Sequence, residues 1–325
     1  MVNGKSLGIG WLVLVCFATC ILACQVPVFR YALERWDSDA YQIQVLYQER
    51  LDPNLLSEIE LLNKSAGGKF PIAIKSLSDL KDPKLQSLWD AKHSGENAAI
   101  FVTYPNRSAS LRGEIAHSAR FTLENLKQVL DSPVRKSIEE SLLSGESATW
   151  ILLESGNREK DNAALALLQE NLARLEKEIQ LPTVEELDIS PELLARVKIK
   201  LEIKFSLIQL RRDDPRERFL VDALIHSEAD LAEYSEEPIV FPVFGRGIVL
   251  YALVGPGIDE ENIREAAKFL AGPCSCQVKE QNPGFDLLFN TDWSGRIGSV
   301  MISQPIPGSD SPPKLLTIPP GKKTK

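Results

Sequence analysis

The sequence predicts a mixed α/β protein built as two successive lobes behind an apolar N-terminal leader. Strand-like and helix-like stretches follow one another in the order βαβαββα, and the same order then begins again. The chain has 325 residues, 44% hydrophobic and 25% charged, which is the balance of a folded protein with material for two cores. From Ser6 to Phe29 there is no charged residue, and Leu7–Ala23 is almost continuously apolar.

The leader, residues 1–24, has the layout of an export signal, with Lys5 and the α-amine as its positive start. Its apolar run exceeds the roughly 7–15 residues of a cleaved signal core. It falls just short of the ~20 residues that span a bilayer comfortably. "ILAC" (Ile21–Cys24) is similar to a bacterial lipobox, whose cysteine carries lipid after cleavage. Ile21 and Ala23 fit that pattern, and Leu22 departs from the small residue usual at its place. Two anchors therefore stand open: lipid on Cys24, or an uncleaved transmembrane helix. Both predict a body tethered to the membrane through its N-terminus, on the extracytoplasmic face of the cell envelope.

The first α/β lobe is expected over residues 25–131. "AYQIQVLYQ" (Ala40–Gln48) alternates as a half-buried strand does. Asp52-Pro53 opens a helix with proline in the first turn, where its missing N–H costs nothing. "KFPIAIK" is a second strand, Asp82-Pro83 opens a second helix, and "NAAIFVTYP" is a third strand. "ASLRGEIA" (Ala109–Ala116) reads as a fourth strand and Ala119–Leu130 as an amphipathic helix. A bridging helix follows over 132–146, with Asp131 or Ser132 as cap, Pro133 in its first turn and Gly145 as stop.

The second lobe is expected over 147–293. "SATWILLES" is a strand rich in aromatic and branched residues. The helix after it places Ala164, Leu168, Leu172 and Leu175 on one stripe. "KLEIKFSLIQL" is the next strand, and Asp214-Pro215 opens another helix. "EPIVFPVFGRGIVLYALVG" reads as a hairpin about Gly245-Arg-Gly247. Asp259–Gly272 is the closing helix, its acidic first turn suited to the helix dipole. From 294 to 325 the chain is rich in Pro, Gly, Ser and Lys and reads as a disordered tail.

At the level of element order the second lobe, over Ser147–Gly272, resembles a thioredoxin-like fold, with a weaker echo over Tyr41–Leu130. A proline leads the hairpin strand, an aromatic precedes the Gly turn, and a strand ends in "VG" before the last helix. The resemblance implies a cis-proline at Pro238 or Pro242. It also implies a thiol pair where the first strand of each lobe meets its helix. Those places read "ESGNREKD" (Glu154–Asp161) and "YQERLDPN" (Tyr47–Asn54), which have no cysteine. Thiol–disulfide exchange needs a thiolate nucleophile, so both lobes are expected to be redox-silent there.

The five cysteines are Cys16, Cys20 and Cys24 in the leader and Cys274 and Cys276 near the other end. A disulfide framework across the body is excluded by that distribution. Cys274 and Cys276 form a candidate thiol pair, with Lys279 placed to lower a thiol pKa by its charge. The pair reads either as a structural feature after a helix end or as a redox or soft-metal site, and its metal is left open. A second pair for a zinc site is missing, and His93, His117 and His226 lie far away in sequence. His226, after "FLVDALI", reads as a helix-end or core histidine. His117 and Ser118 are neighbours that do not face each other on helix or strand. "RRDDPRER" (Arg211–Arg218) reads as a solvated helix start with paired charges, and Asp161 as a cap. "FGRGIVLYALVGPG" is neither a dinucleotide nor a Walker loop.

The net charge of −8 argues against nucleic acid or an anionic membrane surface as a partner, because both need a basic footprint. The sequence thus predicts a membrane-anchored binding or scaffold protein, acting through protein partners in a membrane complex, without cofactor and without catalysis. The alternative is a redox or metal-handling protein using Cys274 and Cys276. A hydrolase with an unrecognised site is a third, weaker reading.

Overall fold

The computed structural model describes residues 25–65, 70–105, 111–274 and 284–304. The leader, Cys24, Cys276, Lys279 and the tail beyond 304 lie outside the described residues. The chain is a mixed α/β protein with two mixed sheets, of four and six strands.

The first sheet holds β1 (Gln42–Tyr47), β2 (Ile72–Ser76), β3 (Ala98–Thr103) and β4 (Ile115–Arg120), in the order β2-β1-β3-β4. β1 runs parallel to β2 and antiparallel to β3, and β3 is antiparallel to β4. Helices α2 (Pro53–Ser65), α3 (Pro83–Lys92) and α4 (Leu123–Leu130) connect and close it. The punctuation acts as the sequence suggests. Asp82 accepts from the amides of Lys84 (2.9 Å) and Leu85 (3.3 Å), which satisfies orphan donors of α3.

The second sheet holds β5 (Ala148–Glu154), β6 (Phe205–Arg211), β7 (Ile239–Phe244), β8 (Ile248–Val249), β9 (Leu253–Val254) and β10 (Phe285–Asp286). Its order is β10-β8-β7-β5-β6, with β9 also on β7. β5 is parallel to β6 and antiparallel to β7, so the pairing of the first sheet recurs in the second. The other helices are α1 (Val28–Arg35), α5 (Pro133–Ser144), α6 (Arg158–Glu178), α7 (Pro191–Arg196), α8 (Arg218–Ile225), α9 (Glu260–Ala271) and α10 (Trp293–Ile297).

Strand alternation sorts the side chains into five layers. Leu46, Ala99 and Phe101 turn outward from the first sheet onto Leu85 and Trp89 of α3. Ile43, Val45, Ile100 and Val102 turn the other way, into one continuous core with Ile151, Leu153, Phe241 and Val243 of the second sheet. Between the sheets lie α2, α4, α5 and α8, through Ile59, Leu126, Val129, Ile138, Leu142, Phe219 and Leu220. The opposite face of the second sheet, with Trp150 and Leu152, is covered by α6, α9 and α1. The expected stripe Ala164, Leu168, Leu172 and Leu175 is buried there.

Several expectations are corrected. The segment 132–146 does not merely bridge, because α5 buries Arg135, Ile138 and Leu142 in the shared core. α1, grouped with the first lobe by sequence position, packs on the second sheet. Its Ala32 lies under the hairpin turn at Gly245, where φ is +60° and an added Cβ would stand 2.7 Å from that of Ala32. Nor does the tail begin at 294: α10 is helical, and Ile297, Ile302 and Ser303 are buried. Tail-like composition misled there because only a few apolar residues, spaced far apart, make the contacts. The fourth strand starts at Ile115, since Leu111–Glu114 of the expected strand form a turn closed by Glu114 N–H on Leu111 O, and Ala109 and Ser110 lie outside the described residues. The helix expected from Ala119 starts at Leu123, where Thr122 accepts from Asn125 N. Asp214-Pro215 forms a turn, with Asp214 accepting from Arg216 N, and α8 begins only at Arg218. Among the described residues no peptide bond is cis, so Pro238 and Pro242 are both trans.

Candidate functional site

Of the expected thiol site, the described residues contain Cys274 alone. α9 ends at Ala271, and the next three residues run antiparallel to the first residues of the body. Val28 N–H donates to Gly272 O (2.9 Å), Cys274 N–H donates to Val26 O (2.9 Å), and Pro27 bridges Pro273. Cys274 is 1% exposed, within the core formed by α1, α6 and α9. The fold thus brings Cys274 against the residues that directly follow the leader, a juxtaposition that no sequence spacing could signal.

At the junction of β5 and α6, where the sequence reading looked for a thiol pair, the helix start is closed by its own side chains. Asn157 accepts from the amides of Glu159 (3.1 Å) and Lys160 (3.3 Å). Asp161 is not that cap. It is buried in the first turn and accepts from Ser155 N–H, Ser155 Oγ–H and Gly156 N–H, folding the loop back onto the helix. The charge run nearby divides in two. Arg211 pairs with Asp213 (2.7 Å) and Arg216 with Asp214 (2.8 Å), both on the surface as expected. Arg212, which the sequence reading did not single out, donates to the carbonyls of Glu154, Tyr234 and Glu237. Lys160 pairs with Glu237 across the same end of the sheet.

Two of the three histidines, His117 and His226, lie at the seam between the lobes, while His93 ends α3 against Trp89 and Phe101. His117 on β4 is buried, and its Nδ1 lies 2.6 Å from Asp222 Oδ2 on α8. The His226 ring accordingly donates from Nδ1 to Ala116 O (3.0 Å), and Tyr104 Oη–H donates to Ala223 O (2.5 Å). His226 is thus a helix-end histidine, as expected, with a partner in the other lobe. His117 stacks edge-on against Phe219, and Ser118 sits on the opposite face of the strand, opposite Phe101. His117→Ala should therefore loosen the seam, costing about 1–3 kcal/mol through the lost bond and packing. Urea unfolding at constant slope measures it; a change near zero would mean that the seam does not couple the lobes.

Buried charge organises the rest. Arg135 donates to the carbonyls of Val129, Leu288 and Gln128 and to Ser132 Oγ, and its guanidinium lies 4.8 Å from the centre of the Phe219 ring. Burial lowers its pKa to about 10, with Glu217 the main opposing charge. Burial likewise raises the Glu217 carboxyl and the Tyr41 and Tyr104 phenols. On the other side of the second sheet, Arg30 and Glu34 of α1 pair at 2.7 Å, both buried. Arg246, at the tip of the hairpin turn, caps α1 by donating to Leu33 O and Glu34 O and pairs with Asp37 (2.9 Å).

An open groove between α3 and the start of β4 is lined by Leu88, Ala91 and Ile115 and rimmed by the Lys84–Glu114 pair. Among the described residues, no group of three or more His, Cys, Asp or Glu is placed to hold a metal ion. Among them also, no helix is long and apolar enough to cross a membrane, and the leader lies outside that set. A scan against protein-family models finds no match to the chain, and a search of curated proteins finds none either.

Proposed function

We propose that the chain is a membrane-anchored scaffold or binding protein of the cell envelope. It carries two fused thioredoxin-like lobes and works through protein partners and not through thiol chemistry. The observation that carries the reading is the closed start of α6. In a thioredoxin-like redox protein the first helix offers its N-terminal amides and dipole to a thiolate. Here the same amides are taken by Asn157, and the loop before them is held by Asp161. The strand order supports the resemblance, since β2-β1-β3-β4 and β6-β5-β7-β8 repeat one pattern of parallel and antiparallel pairs. The apolar run Leu7–Ala23 supports the anchor.

Fractionation tests the address. Full-length protein should float with membranes and be digested by protease added to the outside of spheroplasts, while a chain starting at Val26 should be soluble and folded. Recovery of the full-length chain in the cytosolic fraction would contradict the reading. Cys24→Ala separates the two anchors: loss of processing supports lipid, and unchanged membrane association supports a spanning helix.

A further inference from the structure

We propose that the body is clamped directly onto the lipid surface, with the end of α9 and the start of α1 seated on the headgroups and the α3 layer turned away. This rests on the anchoring reading above. The argument is one of leash length. Val26 is already fixed in the fold, 4% exposed and hydrogen-bonded to Cys274. Only Gln25 separates it from Cys24 at the end of the apolar leader. Two residue steps span at most about 7 Å, so the body has no slack with which to turn over.

The surface around that point suits the role. Pro273 is exposed beside Val26, and Lys268 and Phe269 are exposed in the last turn of α9, Phe269 at 38%. Phe269 is among the few exposed large apolar side chains of the described residues. An aromatic ring and a lysine are the side chains that settle at a headgroup boundary. Of the acidic residues of the same helix, Glu260 and Glu261 stand at its other end, about 12 Å further along at 1.5 Å per residue, while exposed Glu265 lies one turn before Phe269. The ladder between residues 26–28 and 272–274 bears any pull on the anchor, and it places buried Cys274 at this membrane-facing corner.

Full-length protein in phosphatidylethanolamine–phosphatidylglycerol vesicles tests the clamp. A benzophenone amino acid is introduced at Phe269 or, on exposed α3, at Ser87, and lipid adducts are counted after irradiation. Flotation of each chain is scored in parallel. Adducts at Phe269 should exceed those at Ser87 several-fold. A flexible Gly/Ser linker of a dozen residues inserted after Gln25 should abolish that excess while flotation persists. Flotation with equal or reversed adduct yields would overturn the clamp and leave the anchor standing, as would an excess indifferent to the linker. Failure of the unmodified chain to float would overturn the anchor and the clamp together.

Discussion

Arg135→Ala should destabilise the protein by about 3–5 kcal/mol, the range for breaking a buried charge network from one side. The guanidinium satisfies three carbonyls, from Gln128, Val129 and Leu288, and is fully enclosed between α4, α5 and the strand-like segment after β10. Removing it leaves those acceptors dry and Glu217 buried beside them. Glu217 still accepts from Val134 N–H, but its Oε2 has no hydrogen-bond partner even with Arg135 in place. Arg135→Lys keeps the charge and loses the fork, so it should recover only part of the loss. Because total stability is about 5–15 kcal/mol, Arg135→Ala is to be read from a denaturant midpoint at low temperature. A loss under 1 kcal/mol would mean that the carbonyls around Arg135 find other partners.

Glu34→Ala should cost a similar amount, about 3–5 kcal/mol, for the same reason on the other side of the second sheet. Its carboxylate accepts from Arg30 Nε and from the amides of Ile302 (3.2 Å) and Ser303 (2.8 Å), while Arg30 also donates to Ile199 O (2.8 Å). The Arg30–Glu34 pair therefore holds α1, the loop before β6 and the segment after α10 together. Truncation strands a buried arginine and two amides. Replacing both partners, as in Arg30→Met with Glu34→Leu, should be milder, since no unpaired charge is left. Hydrogen exchange gives the local readout: the amides of Ile302 and Ser303 should lose protection in Glu34→Ala first. Unchanged protection at those two amides would show that packing of Ile302 alone holds the segment.

How much of this was legible in the sequence follows from the range of each interaction. Helices with local punctuation were readable at Asp82 and Asp259, which act on amides two or three residues away, whereas at α6 the cap is Asn157 and not the expected Asp161. The stripe on α6 and the inward pair Ile43 and Val45 of β1 were readable because those residues are buried in a fixed period, whereas Leu46 is buried on the opposite face against α3. The shared middle layer was not. Whether two βαβαββα units stand apart or fuse depends on contacts such as His117–Asp222 and Tyr104–Ala223, each more than 100 residues apart in the chain. α5 looked like a linker because its polar residues outnumber the apolar ones, while its buried cation, Arg135, reads from sequence as surface charge. Likewise Arg30, Arg212 and Arg246 gave no signal, since an arginine that caps carbonyls is indistinguishable by composition from a solvated one. The thiol reading was half tractable: the absence of cysteine at the strand–helix junctions is plain, but the docking of Cys274 on Val26 is a tertiary fact.

The claim at the centre of this account is that the body works by binding partners and not through its thiols. Cys274→Ser combined with Cys276→Ser in the full-length chain tests it most directly, with complex formation in native membranes and the folding midpoint measured on the same preparation. A bridge across so short a loop would restrain little chain entropy, and Cys274 is a small buried group, so the midpoint should fall modestly at most. Complexes at the wild-type level are the expected result. Complexes or activity abolished at an unchanged midpoint would contradict the claim and move the functional site to Cys274, Cys276 and Lys279.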